Sequence, residues 1–156
     1  MRDFGKVSPK VWHEPKFRSL ATMDQLLYLY FLTSPHQNSS GCCRLPSGYA
    51  CADLNWQPGA YDAAQKSLVD CELVLVDEKT NEVLIVGWFL HNAPQNEKHK
   101  TGTVRLIEKI QSERLRSFAH QAFEQAWQQF IDAALQKGLS RGPQRQLPLP
   151  TVVGRR

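Results

Sequence analysis

Three patterns along the chain predict an α+β fold. Between residues 22 and 34 lies a short helix pattern that is apolar almost all round. Between 46 and 71 two further helix patterns are joined by a tight turn, and two extended segments then flank a polar run at 77–82. With a short extended piece at 42–45, the order is helix–strand–helix–helix–hairpin. It predicts a winged helix-turn-helix carrying a long C-terminal helical extension. Five parts are expected: a basic arm (1–19), the winged helix (20–92), a linker (93–102), a helical extension (103–137) and a disordered basic tail (138–156).

Each element has its own signal. In the arm, Val11, Trp12 and Phe17 stand out as anchors among polar and basic residues. Thr22-x-x-Gln25 reads as a capping box, with Leu20 ahead of it as a partial staple. Leu26, Leu27, Tyr30 and Phe31 recur at helical spacing, but Leu29 and Leu32 widen the apolar surface, so this helix needs cover on several sides. Pro35 drives Ser34 out of the helical region and stops it. The piece at 42–45 is a third strand for the later hairpin. Pro46 and Ser47 open the second helix, Trp56-Gln57 makes the turn, and Pro58 suits the first position of the third. There Tyr61, Ala64, Leu68 and Cys71 form an apolar stripe, while Asp62, Gln65, Lys66, Val69 and Asp70 face outward.

The hairpin is expected from extended patterns at 73–76 and 83–90. Its tip sets Asp77, Glu78 and Glu82 against Lys79 alone, and a wing lying on phosphates should be basic or neutral. Beyond the linker, Val104, Ile107 and Ile110 suggest a short helix, and Ser112 can cap the next. From Glu113 a broad stripe through Leu115, Phe118, Ala122, Ala126, Phe130 and Ala134 predicts a helix to Lys137, with Gly138 as its stop. That stripe is too broad for a strict coiled-coil seam; it lies on the winged helix or on a second copy in a homodimer.

Composition narrows the class. With 156 residues, 42% of them hydrophobic, the chain can bury one sizeable core. The first eighteen residues carry five basic side chains and no unbroken apolar run, unlike a signal peptide. No stretch is long enough to span a bilayer, so a cytoplasmic protein without a membrane role is expected. Cys42, Cys43, Cys51 and Cys71 contain no C-x2-C, and no histidine stands near them at a ligand spacing. Small buried hydrophobes is the expectation for these thiols, with no metal. Nor is there a glycine-rich phosphate loop, a His-x-x-x-His or a paired acidic run. The expectation is a non-catalytic protein without cofactor.

Charge is unevenly spread. Residues 19–96 hold 3 basic and 8 acidic side chains; the basic excess lies in 1–18 (5 against 2), 97–136 (6 against 5) and 137–156 (5 against none), giving the net +4. An acidic middle with cationic flanks can hold DNA only if the flanks fold onto one side of the third helix.

Several segments carry a resemblance: Lys6-Val7-Ser8-Pro9-Lys10-Val11-Trp12, Lys16-Phe17-Arg18-Ser19-Leu20, Leu27-Tyr28-Leu29-Tyr30-Phe31-Leu32-Thr33-Ser34-Pro35, Arg44-Leu45-Pro46, Asp53-Leu54-Asn55-Trp56 and Trp88-Phe89-Leu90-His91-Asn92. Across residues 6–100 the chain resembles the N-terminal winged-helix domain of bacteriophage and prophage replication proteins, the replisome-organiser group. The resemblance implies binding of origin DNA by this domain and recruitment of a host helicase or loader by a C-terminal part. Here the second half is only 55 or so residues, too short for an ATPase. In the tail, Gln146-Leu147-Pro148-Leu149-Pro150 resembles the peptide that docks on the bacterial sliding clamp, which implies Gln146, Leu147 and Leu149 as partner-binding residues and the clamp, or another host replication protein, as partner.

For double-stranded DNA the third helix offers Gln57 and Gln65 to adenine and Lys66 to guanine or phosphate. Backbone contacts fall to Lys6, Lys10, Lys16, Arg18, Arg44, Lys98, Lys100 and Arg105. Two functions compete. One is a duplex-binding protein of phage type acting in replication initiation or its regulation. The other is a protein-interaction winged helix that binds or inhibits a host complex; a phage transcriptional regulator is a further alternative.

Overall fold

The computed structural model describes residues 5–140. It is an α+β fold with, among the described residues, seven α-helices and one antiparallel sheet of three strands in the order β1-β3-β2. A 3-10 turn, Pro9–His13, and α1, Pro15–Arg18, make up the arm. Phe17 anchors it. The ring is buried, with Trp12 against its edge at 5.5 Å and Tyr28 at 5.9 Å, while Trp12 itself stays largely exposed.

Helix α2, Thr22–Thr33, starts without the expected capping box: Ala21 is the cap, and the Gln25 side chain instead donates to the Phe17 carbonyl at 3.0 Å. The proximity of the arm offers Gln25 a better acceptor than its own helix start. Leu27, Tyr30 and Phe31 are buried, but Leu26 remains 46% exposed, so the cover is less complete than the all-round pattern suggests. Ser34 is extended before Pro35, which ends the helix where expected.

β1, Cys42–Arg44, pairs with β3, Glu82–Ile85, which pairs in turn with β2, Val74–Asp77. The third strand is therefore as expected. Helix α3, Ser47–Leu54, closes on Asn55 in the left-handed region, and α4, Pro58–Asp70, begins on its proline. Tyr61, Ala64 and Leu68 are buried beneath α4, while Cys71, just past it, is half-buried. Val76 and Val83 sit on the sheet face that meets α4, with Tyr61 and Gln65 across a small hollow. Every residue of β3 is buried, because its other face is covered too.

Three expectations give way downstream. The strand expected to reach residue 90 stops at Ile85; Gly87 turns left-handed and Trp88–His91 forms a short helix, α5. In a strand, Trp88 and Phe89 would point to opposite faces, whereas a helical turn buries both. Trp88 lies on Gly41, donates its indole N–H to the Ser39 carbonyl at 3.1 Å, and leaves no room for a Cβ at Gly41. The expected linker is half helix: Asn96 caps α6, Glu97–Ile107, by accepting from the His99 N–H at 2.8 Å. Its charged first turn hides a buried side made of Thr103 and Ile107. Last, α7, Glu113–Ser140, passes through Gly138 instead of stopping there.

The N-terminal half of α7 folds back on the sheet. Leu115, Ala119 and Phe123 are buried against the Leu84 face, with Phe123 edge-on to Phe89 at 5.4 Å. Farther along, Trp127 stacks on Phe130 at 5.3 Å, and Leu135 is exposed. No helix among the described residues is long and apolar enough to cross a membrane.

Candidate nucleic-acid interface

The side chains proposed to read or hold DNA fall into separate groups. On α4, Gln57 is exposed in the extended position before Pro58. Gln65 donates to the Tyr61 hydroxyl at 2.8 Å, and Lys66 pairs with Asp70 at 3.1 Å. Two of the three are thus engaged within their own helix. Burial, with smaller contributions from neighbouring Cys51, Cys43 and Asp62, pushes the Tyr61 phenol well above its usual range, so it stays a neutral acceptor for Gln65. A hollow of about 160 Å³ between α4 and the hairpin turn is lined by Ser47, Asp62, Gln65, Glu78 and Asn81. Its charge comes from Asp62 and Glu78, the wrong sign for a phosphate.

The arm lies elsewhere. Lys16 pairs with Glu72 at 2.9 Å, which ties the arm beside the C-terminal end of α4 and not its first turn. Lys6, Lys10 and Lys16 line one groove of about 380 Å³ together with His91 and Asn92; Glu14 and Glu72 also line it. Arg18 is exposed at the end of α1 and is not among the residues lining that groove. Gly5, Lys6, Val7 and Ser8 line a second hollow with the same His91 and Asn92. So the arm and the segment after the hairpin do meet, but not alongside Gln57, Gln65 and Lys66, where the expected single cationic surface would have placed them. His91 had no sequence signal to join this group, since only the short helix α5 brings it back to the arm.

Arg44 is paired in register with Glu82, on the sheet face turned to α7 and away from α4. On α6, Lys98 and Arg105 are exposed. Lys100 instead places its ammonium 4.8 Å from the centre of the Trp127 ring and 3.6 Å from Glu97. Gln146, Leu147 and Leu149 lie outside the described residues.

The acidic hairpin tip has a structural use. Glu82, only 5% exposed, accepts the backbone N–H groups of Gln111 at 2.9 Å and Ser112 at 2.8 Å. Asp77 accepts the Ser112 hydroxyl at 2.6 Å, and this bond above all, helped by the Lys79 and Thr80 N–H groups, holds its carboxyl below the usual range. Arg114 donates to the Val76 carbonyl at 2.6 Å, covering that edge of β2. Two of the three carboxylates of the hairpin tip are thus anion partners for the N-terminal end of α7. The signal lay in Ser112-Glu113, a helix start with unpaired N–H groups to satisfy.

Cys42 and Cys43 are buried, and burial pushes the Cys43 thiol up to about 12 and the Cys42 thiol higher still, so both are protonated, inert side chains. No group of three or more metal-ligating side chains gathers among the described residues. No protein-family model, curated protein or solved structure matches the chain.

Proposed function

We propose that the chain is a winged-helix protein that binds duplex DNA without catalysis, in the manner expected of bacteriophage replication proteins. Support for the fold comes from the element order and from the sheet order β1-β3-β2, with the hairpin closing on a strand that precedes the helix pair. One observation carries the binding reading: Lys6, Lys10 and Lys16 of the arm share one groove with the post-hairpin His91 and Asn92, and the basic helix α6 follows five residues later in the chain. DNA then lies along this cationic side, held by its phosphates, and the first turn of α4 contributes little. A salt titration with random-sequence duplex tests it. Affinity should fall steeply between 50 and 200 mM salt, with a log–log slope of several units. A flat dependence, or no binding at low salt, defeats the reading.

A second reading rests on a different surface. Asp62 and Glu78 border the hollow beside Gln65, where a DNA-reading helix would need cations. An acidic surface at that place suits a basic protein partner, and the domain would then act as an interaction module on a host complex. Charge reversal at Asp62 and Glu78 separates the two, because it should abolish partner capture and should not weaken duplex binding.

A further inference from the structure

Helix α6 carries a second, undivided cationic feature. Lys98, Gly102 and Arg105 are spaced i, i+4 and i+7 and share one exposed stripe opposite the buried Ile107, and Lys109, just past the end of the helix, is exposed too. Lys109 lies in the turn that closes the helix, where its N–H donates to the Leu106 carbonyl at 3.2 Å. Among the described residues none pairs with the side chain of Lys98, Arg105 or Lys109, unlike Lys16, Lys66 and Lys100. Glu97 and Glu108 fall about a quarter-turn to one side of the stripe. At its middle a Cβ on Gly102 would meet nothing within 4 Å among the described residues, so the stripe is open there.

We propose that this stripe is a phosphate rail: Lys98, Arg105 and Lys109 track the backbone of duplex DNA along α6 and the turn that closes it. The proposal rests on the duplex-binding reading and adds to it which surface takes the backbone. Lys100, although central in sequence, takes no part, because its ammonium is held over Trp127. Three exposed cations with no partner among the described residues are open to a ligand, and a polyanion with one charge per roughly 1.7 Å meets each of them at any register. Such contacts are blind to base sequence.

The test compares the whole protein with Lys98→Gln/Arg105→Gln/Lys109→Gln and, separately, Gly102→Glu, using fluorescently labelled random duplex over a salt series. Each neutralised contact should remove about 0.9 from the log–log slope, so the triple variant should lose 2 to 3 units and bind at least about tenfold more weakly near 100 mM salt. Gly102→Glu keeps all three cations and replaces a poor helix former, so folding should not suffer, yet its carboxylate should weaken binding several-fold. Lys100→Gln should change neither quantity. Unchanged slopes in the triple variant, with wild-type binding intact, overturn the rail and leave the duplex reading standing. Absence of wild-type binding overturns both.

Discussion

The Glu82 carboxylate meets the Ser112 backbone N–H at 2.8 Å, across 30 residues of chain, and that contact fixes where the long helix begins. Its other oxygen takes the Gln111 N–H. A buried carboxylate is costly unless its lone pairs are filled, and the helix start is costly unless its N–H groups are accepted. Each solves the other's problem.

Glu82→Gln should therefore destabilise the protein by about 1–3 kcal/mol, since the amide turns an N–H toward a backbone donor. Chemical denaturation measures the loss. Limited proteolysis should also find α7 cut sooner near its start. A change within experimental error would mean that the contact is replaceable by water.

Asp77 gives a pH signature. Its carboxyl is lowered in the folded state, so it contributes stability that is fully present above the unfolded value near 4 and lost as pH falls through the folded value. Comparing wild type with Asp77→Asn, the stability gap should be constant near neutral pH and close on acidification below pH 4. A gap independent of pH down to 2 would contradict the Ser112 hydrogen bond as its cause.

Gly41→Ala should cost at least about 2 kcal/mol. The backbone there has φ +73°, and the new Cβ would clash with Cγ of Trp88. Adding Trp88→Ala should make the double variant less destabilised than the two losses together. Thermal unfolding of the four proteins completes the cycle; strict additivity would deny the contact.

For function, Asp62→Asn with Glu78→Gln should leave duplex affinity within about twofold if DNA lies along the arm and α6. A gain of tenfold would move the DNA to the first turn of α4. Fluorescence anisotropy at fixed salt reads either result.

The proline, turn and helix signals were local and therefore legible. Pro35 stops α2, Trp56-Gln57 and Pro58 divide α3 from α4, and Ser112 precedes α7. Where expectation failed, a distant partner had intervened. Gln25 turned to Phe17, the 83–90 strand broke so that Trp88 could cover Gly41, and charged residues at 97–100 concealed the start of α6. The candidate DNA residues were legible as residue types only. Their grouping depended on ion pairs such as Lys16 with Glu72 and on the placing of Lys100 over Trp127.

By itself the order of residues determined the α+β class, the strand that joins the hairpin and the apolar stripe of α4, because capping, proline geometry and helical period act over a few positions. Only the folded chain decided that the hairpin's carboxylates hold a helix, that the arm closes on His91 and not on Gln57, and which lysines remain uncommitted. Charges and hydrogen-bond donors choose partners by distance in space, and the chain's own sequence separation says little about that distance.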